Sequence, residues 1–499
     1  MRTMSARRIA EQVAAREVSA VALYDDLLER IAAENPRLNA IVHLDPETGR
    51  AEARAADARA ARGEALPLLG VPFTVKDNIW VRGQPVRQGS RLFEDFVAPE
   101  DAVAVARLRA AGAVFAGITN CSEFACKGVT TNRLHGPTRN PWDVALTPGG
   151  SSGGAASAVA AGLAPLALCT DGGGSTRRPA AHVGVVGMKP SAGVVPHPIG
   201  FAEPVFGNSV IGQMARSVAD VALMLDALAG PDPRDPQSVT MAGSFVRAAA
   251  TADPAGLRVA YSRRLGLDAP VDPEVAACVE RAVHRLAAAG AIVEEADPVW
   301  PEGSGESGLM PLQFAGLAAL YGERYRATPD LFDPDIGQQI EAGLRTSGAE
   351  VARALHLREE AYRALAALFA RYDLLVCPTV PATAWPFDRL GPATIDGRPV
   401  TPRGHAVFTP LFNHCYAPAC SVPCGLTESG GLPVGLQIAG PRLSDATVLR
   451  LAALVEATCG YTSPMPQQFF KKRRVGDRDR TDSLFQLPSC SGNLHPKRG

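Results

Sequence analysis

The sequence has no run of about eighteen uninterrupted apolar residues, so no membrane-spanning helix is expected. It has almost no net charge, with 50 Lys and Arg against 51 Asp and Glu. The chain as a whole therefore gives no electrostatic case for nucleic acid or an acidic membrane as a partner. Ten cysteines are present, scattered and without a CxxC pair. The opening residues, MRTMSARRIAEQ, carry arginines but no apolar run behind them, so no signal peptide is expected. Thiols in such a chain are expected to stay reduced in the cytoplasm. No internal repeat occurs. Also missing is GxxxxGK[ST], and the loop GGSSGG is not a GxGxxG, which weakens a phosphate cradle as a reading.

What is there is an ordinary globular balance, 46% apolar and 20% charged over 499 residues. That length suits one very large α/β domain or two smaller ones with a sizeable core. Residues from about Ser5 to Glu34 repeat apolar positions at helical spacing, and Ala51 to Arg62 reads as a second helix. Leu69 to Ile79 reads as a strand entering a loop. Asp101 to Ala111 looks helical and Ala113 to Ile118 looks like a buried strand. Gly149 to Gly154 is a glycine–serine loop opening a helix at Ala155 to Ala161. Pro165 to Thr170 is a strand ending in a second glycine loop, Asp171 to Ser175. From about Gly230 to Arg371 the pattern is mostly helical, with segments at Asp272–Ala289, Leu312–Arg324, Asp335–Arg345 and Ala349–Arg371. Strands return at Leu374–Cys377 and Val434–Ala439, followed by an amphipathic helix, Ala446–Glu456.

Alternating strands and helices predict an α/β fold with a largely buried sheet. The expected organisation is one structural domain. Residues 1–64 form a helical segment packed on a core of 65–230. Residues 231–372 insert a helical cap beside the site, and 373–466 return to the sheet. A basic tail, 467–499, is expected to be disordered and dispensable; its KKRR run is read as solvated charge.

The chemistry concentrates in the two loops, Pro148-Gly149-Gly150-Ser151-Ser152-Gly153-Gly154 and Asp171-Gly172-Gly173-Gly174-Ser175-Thr176-Arg177-Arg178-Pro179. Glycines there let backbone N–H groups turn inward as an anion nest, which suits a phosphate or an acyl-transfer oxyanion. A serine nucleophile needs a base. Of nine histidines only His182 lies near the loops in sequence. The other candidate is Lys76, at the end of the apolar stretch from Val71. A lysine buried there can lose its proton and act as a base. Equally, it can pair with Asp77 at the surface; the residues alone leave both readings open.

The two loops and the lysine segment together resemble the amidase signature family. GGSSGGAASAVAAGLAPLALCTDGGGSTRRP, Gly149 to Pro179, is similar to the family signature over its whole length. GITNCSEFACKG, GPTRNPWD, VVGMKPS, CPTVP and LPVGLQIAG carry the resemblance along the chain, from roughly Ala6 to Glu456. It implies an α/β/α fold around a large, twisted, mixed sheet covered by helices on both sides, with Ser175 as nucleophile, Ser151 on a cis peptide bond as relay, and Lys76 as base. It further implies an oxyanion hole of the Gly172, Gly173, Gly174 and Ser175 amides, and no metal or organic cofactor. Arg177 matches a recurrent arginine and is expected to be structural. Two positions depart from the pattern. Thr176 stands where an aliphatic residue is usual, and Arg178 occupies a variable position. In a malonamate-type branch, an arginine three residues after the nucleophile binds the substrate carboxylate, so Arg178 could select an acidic amide.

Other candidates have plainer readings. His405, His414, Cys415, Cys420 and Cys424 fit no usual zinc spacing and are read as core. Trp142 is read as packing, and Asp171 as a buried acceptor holding its loop. Cys121, Tyr321, Trp385 and Phe412 are candidates for the substrate wall. The expected activity is hydrolysis of a small or aryl amide by a free-standing enzyme, with no nucleic-acid or membrane partner and a homodimer as the family's common assembly. The alternatives are the amidase-like subunit of a glutamine-dependent tRNA amidotransferase, which shares this core, and a nucleotide-binding protein.

Overall fold

A computed structural model of the chain describes residues 3–251, 253–254 and 256–460. The expected basic tail, 467–499, lies outside the described residues. Thirteen strands occur among them: β1 Ile41–His43, β2 Pro72–Lys76, β3 Val114–Thr119, β4 Leu166–Asp171, β5 Val186–Lys189, β6 Val210–Ala215, β7 Arg258–Tyr261, β8 Ile292–Glu295, β9 Leu374–Pro378, β10 Thr394–Ile395, β11 Arg398–Pro399, β12 Ala419–Leu426 and β13 Pro433–Ala439. Apart from the small β10–β11 hairpin, all join one eleven-stranded sheet in the order β1-β3-β2-β4-β6-β5-β12-β13-β9-β7-β8. The sheet is mixed. β3, β2 and β4 run parallel, as do β9, β7 and β8, and the strands between pair antiparallel.

Every residue of β2, β3, β4, β5, β6, β9 and β13 is buried. Side chains alternate between faces, so burial of both sets means that both faces are covered. The layered α/β architecture expected from the alternation is therefore present.

The structure differs from the sequence expectation in three places. The first helix is two, Ala6–Ala14 and Ala20–Leu38. Arg16 takes a left-handed conformation that ends the first, and the Ser19 hydroxyl accepts from Ala22 N to start the second. The N-terminal segment is also not wholly helical, since β1 joins the sheet edge. The 231–372 insert is not only a cap: β7 and β8 extend the main sheet beside β9. Its helices Glu306–Ala327, Pro334–Arg345 and Gly348–Phe369 match the helical part of that expectation. No helix among the described residues is long and apolar enough to cross a membrane.

β2 and β4 are parallel neighbours, with Val75 opposite Leu168. Lys76 and Asp171 are the last residues of these strands, so both loops and the lysine meet at the carboxyl edge of the sheet. This is where open α/β sheets place their sites.

Candidate active site

Lys76 is fully buried. Its Nζ lies 2.7 Å from Ser151 Oγ and 2.8 Å from Thr170 Oγ1. Among the described residues no carboxylate lies within ion-pair distance. The alternative pairing with Asp77 is not formed. That carboxylate is buried too, accepting from Arg87 N at 2.7 Å and Gly89 N at 2.8 Å. Burial in low dielectric disfavours the ammonium and pushes the Lys76 pKa down. Asn78 donates to Thr170 Oγ1 at 3.0 Å, which fixes the second partner of the lysine.

Ser151 follows a cis Gly150–Ser151 peptide bond. Gly150 packs so closely on the Val129 backbone that a Cβ would overlap it, so a side chain there would push the loop off the lysine. The next loop is held by Asp171, fully buried. Its carboxylate accepts from Gly174 N at 2.7 Å and Thr176 N at 3.1 Å. Arg177 donates to it from Nη2 at 2.9 Å and Nε at 3.1 Å. Burial opposes its ionisation, but the adjacent guanidinium and these donors outweigh burial and hold the carboxyl well below the usual carboxylate range. Arg177 also reaches Thr409 O, Gln437 Oε1 and Asn413 Oδ1. It is wholly engaged in structure, as expected. Asn413 and Gln437 were missed in the sequence. Gln437 had a signal, a single polar residue in the otherwise apolar strand PVGLQIA.

The Asp171 clamp corrects one expectation. The Gly174 N–H is already donated, so it is not available to an oxyanion. The amides of Gly172, Gly173 and Ser175 have no acceptor among the described residues, and these three residues line a cavity of about 310 Å³. Lys76, Ser151 and Ser175 come together only in part. The Lys76–Ser151 hydrogen bond is present, but among the described residues none joins the Ser151 and Ser175 hydroxyls. The two loops touch through Ser152 N, which donates to Ser175 O at 3.3 Å.

Arg178 lines the same cavity. The residue is 5% exposed, its guanidinium makes no hydrogen bond among the described residues, and its Nε is buried without an acceptor. Burial, then repulsion by Arg403, pushes its pKa down to about 9, which leaves it charged at neutral pH. Arg177 and Arg178 open the helix Arg177–Val183. In a helix consecutive side chains diverge by about 100°, and the one reaches the buried clamp while the other reaches the cavity.

The other four wall candidates are corrected. Cys121 is buried away from the cavity, Phe412 is in the core, Trp385 packs against His182 and His405, and Tyr321 stacks behind Phe124. Phe124, Phe201, Leu309, Met310 and Leu411 form the apolar wall instead. Phe124 lies inside the recognised segment GITNCSEFACKG, but which neighbour faces the cavity depends on the left-handed backbone of Phe124 and Ala125. Trp142 packs as expected, with its indole N–H on Val183 O. Cys420 and Cys424 lie buried in β12, and His414 meets Asn208. Among the described residues no three His, Cys, Asp or Glu side chains converge as metal ligands.

The fold and the site together define an α/β protein with a buried lysine–serine pair under an amide-lined serine loop. The chain belongs to the amidase family, whose model matches residues 22–449. It is 40% identical over 468 residues to an acylamidase of Rhodococcus erythropolis, covering 93% of this chain and 97% of that protein. It is 37% identical to a glutamyl-tRNA(Gln) amidotransferase subunit of Roseiflexus castenholzii, covering 92% and 96%. A crystal structure of a bacterial aryl acylamidase of the amidase signature family superposes with a TM-score of 0.85 at 28% identity, covering 94% of this chain and 98% of that one.

Proposed function

We propose that this chain is a free-standing amidohydrolase that cleaves a small or aryl carboxylic amide through an acyl-enzyme on Ser175. The observation that carries this reading is the Lys76–Ser151 pair: a fully buried lysine, 2.7 Å from the serine hydroxyl, with no carboxylate within ion-pair distance among the described residues. Neutral Lys76 takes the Ser151 proton as Ser151 takes that of Ser175. Ser175 Oγ then attacks the amide carbon. Gly172, Gly173 and Ser175 line the cavity, and their amides are the donors for the developing oxyanion. Ser151 returns the proton to the nitrogen as the C–N bond breaks, and the amine leaves. Water enters along the same relay and frees the acid. Contacts of such a relay often tighten only with substrate bound, which suits the open Ser151–Ser175 step. The apolar wall fits an aryl or alkyl group. The charged, unsatisfied guanidinium of Arg178 fits a nearby substrate carboxylate.

Trapping tests this reading. Mass spectrometry of the chain mixed with a slow amide or activated ester should find one acyl group on Ser175, and none in Ser175→Ala. An adduct elsewhere, or none with hydrolysis continuing, would remove the mechanism. The 37% identity to an amidotransferase component supports a second reading. Glutaminase activity that appears only on adding partner subunits would favour it.

A further inference from the structure

His414 lines the cavity that holds Ser175 and ends the short helix Pro410–His414. Its neighbour Asn413 donates to Asp171 O at 2.7 Å, which ties this helix end to the start of the glycine loop. Asn208, the hydrogen-bond partner of His414, precedes Ser209, and Ser209 packs on Gly172. His414 thus stands on the Gly172 side of the loop. Arg178 stands on the other side, where its Nε lies 3.1 Å from the place of a Cβ on Gly174.

The hydrogen bonds around Asn208 fix where the His414 ring holds its proton. Arg358, on the helix Gly348–Phe369, donates from Nη1 to Phe206 O at 3.0 Å and to Asn208 Oδ1 at 3.1 Å. A guanidinium only donates, so the amide atom facing it is the oxygen. The amide nitrogen then faces His414 Nδ1, at 2.6 Å. An amide nitrogen also only donates, so Nδ1 is the acceptor and the ring proton is on Nε2. Burial, then repulsion by Arg358, pushes the His414 pKa down to about 3, so the ring is neutral near neutral pH and does not serve as a proton carrier. Nε2 has no partner among the described residues, and unlike the partnerless ring nitrogens of His182, His197 and His405 it is not sealed from solvent. In a residue that lines the cavity, that opening is the cavity.

We infer that His414 is a substrate-binding residue of the Ser175 cavity: its Nε2–H donates to an uncharged acceptor, such as an ether oxygen, a second carbonyl or a pyridine-type nitrogen, on the amide being cleaved. A neutral donor compensates the desolvation of such an atom, whereas a carboxylate needs a charged partner, which Arg178 supplies on the other side of the loop. A cavity built around a fixed donor disfavours the analogue that lacks the acceptor, because the N–H is then left unpaired. The inference rests on amide hydrolysis at Ser175.

The test uses the full chain and a series in which one ring CH of benzanilide is replaced by nitrogen: the pyridinecarboxanilides and the N-pyridylbenzamides. Differences in intrinsic reactivity cancel when a variant is compared with wild type. For at least one of these amides, kcat/KM relative to benzanilide should fall about tenfold in His414→Phe, which keeps a flat ring without the donor. The ratio should hold in His414→Gln, whose side-chain amide restores an N–H. Asn208→Asp, assayed at alkaline pH to keep the ring neutral, turns an acceptor to Nδ1, moves the ring proton there and should lower the same ratio as far. Heteronuclear NMR of the histidine-labelled chain, with His414 assigned by its loss in His414→Phe, should show the proton on Nε2 in wild type and on Nδ1 in Asn208→Asp. Ratios unchanged from wild type in His414→Phe and Asn208→Asp would overturn the inference. So would equal losses in His414→Phe and His414→Gln, which mark an effect of shape, or a wild-type proton on Nδ1. A wild-type chain that hydrolyses none of these amides removes the underlying reading. One that does, with unchanged ratios in the variants, removes only the part given to His414.

Discussion

The Lys76 nitrogen lies 2.7 Å from the Ser151 hydroxyl, at the end of a strand buried on both faces. Catalysis and stability pull in opposite directions on this residue. Ser175→Ala and Lys76→Ala should each lower kcat/KM by about 10³-fold or more, because a proton relay fails as a unit. Burial lowers the folded-state pKa of Lys76, so the unfolded chain binds more protons, and stability from this group rises with pH up to the ordinary lysine range. Lys76→Met should therefore melt no lower than wild type at neutral pH while losing activity. The ascending limb of kcat/KM against pH should lie below the ordinary lysine range. A Lys76→Met chain that melts well below wild type would show that the buried amine stabilises the fold.

Asp171→Ala should be among the most damaging single changes. It leaves the fully buried Arg177 guanidinium without its countercharge and frees the Gly174 and Thr176 amides. Breaking one side of a buried pair costs about 3–5 kcal/mol. Because its folded pKa is depressed, Asp171 contributes stability that is lost only as pH falls through that low value. Denaturant titration of wild type should show no loss traceable to it between about pH 8 and pH 5.

Much of this site was legible because its parts are contiguous in sequence. Ser151, Ser175 and Lys76 each sit in a segment whose glycines or apolar run mark it. The wall was not legible. Phe201 comes from a loop, and Leu309 and Met310 from the start of a helix far along the chain, so their meeting is set by tertiary packing. β7 and β8 escaped notice for a different reason. Each has only four residues, and β8 at the sheet edge, IVEE, has mostly exposed side chains, so neither shows the longer apolar run of a buried strand. The break near Arg16 did have a signal, Ser19 before an apolar-periodic run, but the periodicity across it masked the boundary. The loss of Gly174 as an oxyanion donor had none, since it depends on where the Asp171 carboxylate turns.

Gly173→Ala and Gly174→Ala should separate the two roles of that loop. A Cβ on Gly173 meets nothing within 4 Å. At Gly174 the backbone is left-handed, with φ +113°, and a Cβ would overlap Thr409 Oγ1. Gly174→Ala should lower the melting temperature by several degrees, a loss of about 1–3 kcal/mol. Gly173→Ala should melt as wild type and lose activity by intruding on the cavity. Equal melting of the two variants would contradict the clamp.

Glu123 should give a stability slope of the opposite sign to Asp171. Burial, then the neighbouring Asp333 carboxylate, pushes its pKa up to about 7. Ser90 Oγ and Asp333 N both donate to it, and Lys127 is nearby. Between the ordinary glutamate range and about 7, the native chain holds a proton that the unfolded chain has lost. Stability from this group therefore rises as pH falls through that window. Glu123→Gln should flatten the slope and be more stable than wild type at pH above about 7, by about 1–3 kcal/mol. An unchanged slope would show that Glu123 is ionised in the native state.

Arg178 should bias the enzyme towards amides that carry a carboxylate close to the scissile bond. The argument begins with Ser175, which lines the cavity. One helical turn beyond it, the chain is still at the cavity wall, and Arg178 is the side chain that points there. Its neighbour Arg177 is consumed by Asp171, Asn413 and Gln437, so the two arginines do not share a task. A desolvated guanidinium with no acceptor is poorly satisfied in the free protein, and a substrate carboxylate supplies the missing partner. Hydrogen bonds to charged groups are worth about 1.5–3 kcal/mol, which corresponds to roughly ten- to a hundredfold in kcat/KM. The measurement is the ratio of kcat/KM for an acidic amide to that for its neutral isostere, in wild type and in Arg178→Leu. The ratio should fall by that factor, with the neutral substrate nearly unaffected. The change should sit in the acidic substrate alone, because Arg178→Leu leaves the Lys76–Ser151 pair and the Asp171 clamp untouched. A ratio that does not move would leave Arg178 without a part in choosing the substrate.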